Sequence, residues 1–322
     1  MTKKQRNKIS GWIALDKVYG MSSTQAVGKT RWLFNAEKAG HGGTLDPLAS
    51  GLLPIALGEA TKTVQWAMDG RKTYRFTAAW GAETNTDDLE GQVKSTSTAR
   101  PSQYNIESIL SQFTGTIMQA PPPYSAIKIE GERAYDLARA GAAPEMVERP
   151  ITIEALRLLS AANPDQAEFE VVCGKGTYVR SLARDMGRAL GCLAHVSALR
   201  RVQVGALDES HMISLEKLEE MSHRGGTEAL KGALLPIETV LDGIPALAVL
   251  GTDAAKLRQG QTVLLRGAQL VPAKLQDFVD QNKRQESAPI SEAAVLVRNG
   301  TELVGIGEVA HGTLKIKRLF NL

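Results

Sequence analysis

The chain of 322 residues is poor in cysteine: it has only Cys173 and Cys192, neither in a Cys-x-x-Cys pair nor beside a cluster of histidines. A disulfide framework and a structural zinc site are therefore excluded, and two buried thiols are expected. It also lacks any apolar run near the roughly 20 residues that cross a bilayer. The longest candidate, Leu52 to Leu57, is short and contains Pro54. Lys3, Lys4, Arg6 and Lys8 are not followed by an apolar segment, so the pattern of a secretory signal is missing and a cytoplasmic location is expected. The 5 histidines have neither paired spacing nor a His-Glu-x-x-His motif, so no metal site is expected. There is no Walker A motif. Gly305-Ile306-Gly307 lies in a predicted strand with no helix after it, which excludes a dinucleotide fingerprint. No internal repeat is found.

The remaining composition is that of an ordinary globular protein, with 43% hydrophobic and 23% charged residues, 30 Gly and 13 Pro. At roughly 150 residues per domain the length predicts two domains. Net charge is only +3, from 38 basic against 35 acidic residues. The basic residues nevertheless cluster: in the N-terminal arm, at Arg71 to Arg75, at Arg180/Arg184/Arg188, at Arg200/Arg201 and at Lys315/Lys317/Arg318. Such clusters suit a polyanion, although each is also compatible with a solvated surface.

Gly11 to Lys17 reads as a strand, and Ser22-Ser23-Thr24-Gln25 supplies a capping box for a helix through about Phe34. A glycine-rich loop, His41 to Pro47, precedes an apolar segment ending at Gly58. From Thr73 to Trp80 the period is two, with Tyr74, Phe76, Ala78 and Trp80 on one face, a half-buried strand. Ile106 to Phe113 is predicted helical, and the basic, Ala-rich stretch after Pro121-Pro122-Pro123 reads as a surface insertion. Strands are expected at Ile151 to Leu159 and Glu168 to Cys173, then a helix with Val179, Leu182, Met186 and Leu190 on its apolar stripe. Strand-helix-strand spacing is not kept, so the fold class is α+β, mixed with a largely antiparallel central sheet. Beyond a boundary at Pro236 to Pro245 the pattern is short-stranded, with a helix from Thr252 to about Gln259 and a type I′ hairpin signal at Asn299-Gly300. The closing strand alternates Leu314/Ile316 with Lys315/Lys317, giving an edge-like strand with a basic outer face. Pro272 to Ser291 reads as a long polar interruption.

Asp46, between a Gly-Gly turn and Pro47, has two readings: an N-cap with proline at N1, or a carboxylate presented in a cleft at a loop-to-helix corner. Arg180 sits at the start of its helix, where the dipole disfavours a cation, so it needs an anionic partner such as RNA phosphate or Asp46. Arg184 and Arg188 continue that face, either exposed or on RNA. Tyr74 is a strand-core aromatic or a platform for a nucleobase, and His41 a turn residue or the occupant of a flipped base's place.

Leu15-Asp16-Lys17, His41 to Gly51 (HGGTLDPLASG), Lys72-Thr73-Tyr74, Tyr124 to Arg139 with its RAY core, Gly174 to Arg180 (GKGTYVR) and Leu199-Arg200-Arg201 together resemble the bacterial tRNA pseudouridine-55 synthases, the TruB family. The order and spacing match, although Val18 stands where that family usually has proline and Ser22-Ser23 where Thr-Ser is common. The resemblance implies a catalytic domain over 11–241, with an RNA-clamping insertion at 123–151, after a basic arm at 1–10. It also implies a small PUA-like RNA-binding β-barrel over 242–322. The implied activity is isomerisation of uridine 55 in the T-arm loop of tRNA to pseudouridine, with base flipping and no cofactor or metal, by a monomer needing no protein partner. A tRNA-folding chaperone role is the rival from another class. By resemblance Asp46 is the nucleophile, Tyr74 stacks on the base and helps move its proton, and Arg180 pairs with Asp46. His41 fills the flipped nucleotide's space, Tyr178 and Leu199 line the pocket, and Lys17 supports its edge. Lys128, Arg133, Arg139, Arg184, Arg200 and Arg201 are the expected RNA contacts.

Overall fold

The computed structural model describes residues 6–125, 128–129, 132–133, 146–265 and 293–322, with backbone alone at 128–129, 132–133 and 293. In chain order the first part contains β1 (Gly11–Lys17), α1 (Ser23–Leu33), β2 (Ala39–His41), β3 (Ala49–Leu57), α2 (Val64–Asp69), β4 (Lys72–Trp80), β5 (Ala82–Thr84), β6 (Val93–Thr96), α3 (Gln103–Ile109) and β7 (Gly115–Gln119). Then follow β8 (Lys128–Ile129), β9 (Glu132–Arg133), β10 (Arg149–Ser160), β11 (Gln166–Cys173), α4 (Val179–Ala189), β12 (Ala194–Val204), β13 (Ile213–Ser214) and α5 (Leu215–Lys231). The C-terminal part holds β14 (Ala246–Ala248), α6 (Gly251–Arg258), β15 (Val263–Leu264), β16 (Ala293–Asn299), β17 (Glu302–Ala310) and β18 (Thr313–Leu319).

One sheet organises the molecule, in the order β13-β1-β3-β12-β4-β11-β10-β7, with β2 also on β3. Its described pairings are antiparallel except β1 with β13 and β3 with β12. This is the mixed, largely antiparallel sheet expected from the sequence. Two apolar clusters flank it. In one, Phe76 stacks on Phe169 with centroids 5.2 Å apart, and α3 and α4 add Ile106, Ile109, Leu182 and Met186. In the other, Ile13, Leu15, Leu53 and Ile55 meet Ala26 and Phe34 from the α1 segment and Leu215 and Leu218 from α5. Tyr74 and Leu199 pack against both clusters, so they mark the seam between them.

Register across the sheet aligns distant segments. Lys17 is opposite Gly51, Gly51 opposite Arg201, and Arg201 opposite Tyr74, one transverse row over four strands. Gly51 has φ of 95°, and a Cβ built there would overlap the carbonyl oxygen of Arg201. Backbone strain and backbone contact act together at this position. Gly51→Ala is therefore expected to destabilise the protein by about 2 kcal/mol or more, read as a lower urea midpoint at unchanged slope.

Three local expectations are corrected. Asp46 precedes a turn into β3, not a helix, with Ala49 N–H donating to the Asp46 carbonyl at 3.1 Å, so the N-cap reading fails. The helix expected over Ile106 to Phe113 begins earlier, at Gln103, and tightens to a 3₁₀ turn at Leu110–Phe113. The hairpin turn is Gly300-Thr301 rather than Asn299-Gly300, because Asn299 pairs with Glu302; only Gly300, at φ 61°, is left-handed, as type II′ requires. The left-handed pair is instead His311-Gly312, between β17 and β18.

The C-terminal sheet runs β14-β16-β17-β18-β15 and is a half-barrel among the described residues. β18 lies inside the edge strand β15, with Lys315, Lys317 and Arg318 exposed. Leu296, Leu303, Ile306 and Phe320 pack with Trp12, Ala56, Ala60 and Ala67 of the N-terminal part. Lys62 Nζ donates to the Leu319 carbonyl at 2.7 Å, and Asn321 N–H to Glu59 at 2.8 Å, tying the tail down. Residues 6–10 do not project as an arm: Ile9 is buried and Asn7 N–H donates to the Asn35 carbonyl at 2.8 Å. The stretch Pro272 to Ser291 and Arg139 lie outside the described residues, as do the side chains of Lys128 and Arg133.

Candidate active site

The turn carrying Asp46 is held from several sides. Ser23, at the start of α1, exchanges hydrogen bonds with Leu45: its hydroxyl donates to the carbonyl at 2.8 Å and accepts from the N–H at 2.9 Å. Gly20 N–H donates to the Pro47 carbonyl at 2.8 Å. Lys17, fully buried, donates from Nζ to the carbonyls of Val18, Met21 and Pro47 at 3.1, 2.7 and 3.3 Å. Burial pushes its amine down to about 8, against the opposing pull of Asp46. Arg201, 1% exposed, donates to the carbonyls of Leu52, Thr44 and Gly43 at 2.8, 3.3 and 3.0 Å. One guanidinium thus holds the two residues preceding Leu45-Asp46 and the strand that follows.

Arg180 Nε stands 2.9 Å from Asp46 Oδ2, with Arg180 6% and Asp46 37% exposed at the side chain. The same Nε is 3.7 Å from Asp88 Oδ2, while the two Nη groups donate to the carbonyls of Thr86 and Tyr124 at 2.9 and 3.1 Å. The need for an anion at the first turn of α4 is met by two carboxylates. Asp46 remains the one that opens on a cavity of about 330 Å³, lined also by Tyr74, Tyr178, Leu199, Lys72 and Arg201.

Tyr74 lies beneath Arg201, whose guanidinium carbon is 6.0 Å from the ring centroid. Burial, partly opposed by Arg201, raises its phenol above the usual range, so it stays protonated at neutral pH. Tyr178 is fixed through its backbone: its N–H donates to Gln119 at 2.9 Å, and the Gln119 amide returns to its carbonyl at 3.2 Å. Burial raises its phenol too, with Ser125 opposing. His41 and Lys17 are outside the cavity lining. His41 sits on β2 opposite Ile55, its Nδ1 buried without a described partner, and burial lowers its pKa, with Arg201 adding to the effect.

The expected basic RNA face is corrected at its buried members. Arg184 is buried and bonds to Asp87 at 2.8 Å, Asp185 at 2.8 Å and the Ala120 carbonyl at 3.1 Å; Arg188 bonds to Glu83. The stripe on α4 is a ladder of ion pairs, Arg188 with Glu83, Arg184 with Asp87 and Arg180 with Asp88. Burial raises the Asp87 carboxyl to about 6 despite Arg184. Arg201 is internal as well, whereas Arg200 is partly exposed and grips Asp16 at 2.9 Å and Glu209 at 3.3 Å. Sequence reading did not pick out Asp88, Thr86 or Gln119, and it placed Ser23 only in a capping box. Only the acids at 83, 87 and 88 left a readable signal, a short acidic segment able to pair with the α4 arginines.

Comparison with known proteins gives a consistent class. The model of the TruB family pseudouridylate synthase N-terminal domain matches residues 31–179, and that of the tRNA pseudouridylate synthase B C-terminal domain matches 180–242. The junction falls within α4, so Asp46 and Tyr74 come from one model and Arg180, Leu199 and Arg201 from the other. The structure of an H/ACA RNP bound to a substrate RNA containing 2′-deoxyuridine aligns with TM-score 0.70 at 23% identity, over 97% of this chain and 85% of that one, a likeness of fold. The tRNA pseudouridine synthase B of Bradyrhizobium diazoefficiens is 52% identical over 99% of this chain and 88% of its own length. That of Brucella melitensis is 47% identical over 99% of this chain and 98% of its own. The chain belongs to the TruB family of pseudouridylate synthases.

Proposed function

We propose that this chain isomerises uridine 55 in the T-arm loop of tRNA to pseudouridine. The observation carrying this is Asp46, held by Arg180 at 2.9 Å and open to a cavity floored by Tyr74. The names of relatives near 50% identity over the full length support the tRNA substrate. A carboxylate oriented by a buried guanidinium and open to a cavity is a nucleophile suited to this chemistry. Asp46 attacks the nucleotide, either at ribose C1′ or at base C6; the N1–C1′ bond breaks, the uracil turns, and a C5–C1′ bond forms. The C5 proton then leaves, N1 ends protonated, and the carboxylate is released. No atom or electron is gained or lost overall, so no cofactor is required.

The base must first leave its stack, at a cost of a few kcal/mol. His41 takes the vacated place, Tyr178 and Leu199 enclose the extruded ring, and Lys17 supports the turn below it. The raised pKa of Tyr74 suits it to stacking more than to accepting the C5 proton in the free enzyme. The insertion at 123–151, with Lys128, Arg133 and Arg139, clamps the T arm, and Arg200 adds an outer contact. The chain divides into a catalytic domain over 11–241 and a PUA-like RNA-binding barrel over 242–322, to which the half-barrel and the exposed Lys315 and Arg318 belong. It acts in the cytoplasm as a monomer without a protein partner.

The test is incubation with an unmodified T-arm stem-loop transcript in EDTA, followed by carbodiimide mapping. The expected result is pseudouridine at the single loop position. Tight binding without product would overturn the reading in favour of an RNA-folding chaperone.

A further inference from the structure

Five Lys or Arg side chains are buried among the described residues: Lys17, Lys72, Arg180, Arg184 and Arg201. Four of them are occupied by the protein itself. Lys17 has three carbonyls for its three donors, Arg201 three carbonyls, Arg184 two carboxylates and a carbonyl, and Arg180 two carboxylates and two carbonyls. Lys72 differs. Its ammonium, on a residue 6% exposed, donates to one described acceptor, the Met68 carbonyl at the end of α2, and makes no described ion pair. An ammonium has three donors, and a buried cation left short of acceptors is unfavourable unless something else supplies them. Lys72 lines the same cavity as Asp46. On β4 it is two residues from Tyr74, so both side chains leave the same face about 7 Å apart. A long side chain there reaches the edge of a ring lying on Tyr74.

Resting on the reading that this chain isomerises uridine, we propose that Lys72 donates a hydrogen bond to a carbonyl oxygen of the uracil stacked on Tyr74. When the N1–C1′ bond breaks, its electron pair stays with the uracil and spreads to O2 and O4. A fixed ammonium at that edge stabilises the charge as it develops, the arrangement that accelerates such a step most. The groups facing Lys72 are Arg201, Lys175, Cys173 and Asp69. Burial first, then Arg201, lowers its amine to about 8, with Cys173 and Asp69 opposing. The charged form is therefore lost as pH rises through that value, so kcat/KM falls on the alkaline side.

Single-turnover rates and RNA affinity of Lys72→Met and Lys72→Arg decide the matter. The expected result for Lys72→Met is a rate lower by about ten- to a hundredfold, the loss of a charged hydrogen bond, with Kd for RNA changed less than about threefold. Lys72→Arg is expected to recover most of the rate and to lose the alkaline fall, because guanidinium stays charged. Lys17, also near 8, is intact in that variant, so persistence of the fall would assign it elsewhere and overturn the proposal. Substrates with 2-thiouridine or 4-thiouridine at the target identify the oxygen: the wild type slows on one of them, and Lys72→Met does not distinguish it from uridine. A Lys72→Met enzyme as fast as wild type would make Lys72 a mere anchor for the α2 terminus. A variant that loses RNA affinity and responds to phosphorothioate rather than thiocarbonyl substitution would make it a phosphate ligand. Either result overturns the proposal while wild-type product formation leaves the main reading standing; no product from the wild type removes both.

Discussion

Asp46→Asn is expected to abolish pseudouridine formation, by about 10⁴-fold or more, while thermal midpoint and RNA affinity stay close to wild type. The amide keeps the shape and one acceptor oxygen of the carboxylate but is no nucleophile. The fold tolerates the change because Arg180 does not depend on Asp46 alone. It retains the carbonyls of Thr86 and Tyr124 at 2.9 and 3.1 Å and the carboxylate of Asp88 at 3.7 Å. Asp46 itself is partly open to solvent, where an ion pair contributes little to stability. Carbodiimide mapping, a melting curve and a filter-binding titration on the same preparation make the comparison. Residual product at more than about a hundredth of the wild-type rate would show that another group attacks the nucleotide. A collapsed melting curve would show that Asp46 is structural.

How far the fold could be read from the sequence depends on how local its determinants are. β1, β4 and the capping box of α1 are set by neighbours two to four residues away, and they occur where expected: Ser22 accepts from Gln25 N–H at 3.2 Å and Gln25 answers Ser22 N–H at 2.9 Å. Asp46-Pro47 could not be settled in that way, because an Asp-Pro pair opens a helix or a turn equally well. What decides is the apolar run that follows. β3 lies between β1 and β12 in the middle of the sheet, and an apolar run of that length reads as buried strand or helix alike. The hairpin turn moved by one residue for a similar reason, since the register of β16 on β17 placed Asn299 in the ladder.

The site followed the same division. That Arg180 required an anion was legible from its place on α4, because the dipole argument needs only the helix. That Arg184 and Arg201 are internal was not, because their acceptors lie 97 and 149 residues away and are set by sheet register. A cluster of arginines looks alike in sequence whether it faces RNA or its own protein's carboxylates. Here the short acidic segment holding Glu83, Asp87 and Asp88 was the only local trace of the second case.

The second large effect is expected at Arg201, where Arg201→Met should cost about 3 to 5 kcal/mol of stability and at least about a hundredfold in rate. Its three donor groups satisfy Leu52, Thr44 and Gly43, and with the residue 1% exposed no water can take their place without opening the sheet. Losing them leaves carbonyls short of partners in the loop and strand that flank Asp46, and displacement of the nucleophile by about 1 Å is enough for the kinetic loss. The cation over Tyr74 goes as well, removing charge from the wall on which the base stacks. Arg201→Lys separates the two contributions: it keeps the charge but not the planar fork that reaches three carbonyls in different directions. It is therefore expected to regain part of the stability and little of the rate. The measurements are urea unfolding at fixed slope and single-turnover rates at saturating RNA. If Arg201→Met instead unfolds at the wild-type midpoint with full activity, Arg201 does not position Asp46, and the turn must be held by Ser23, Gly20 and Lys17.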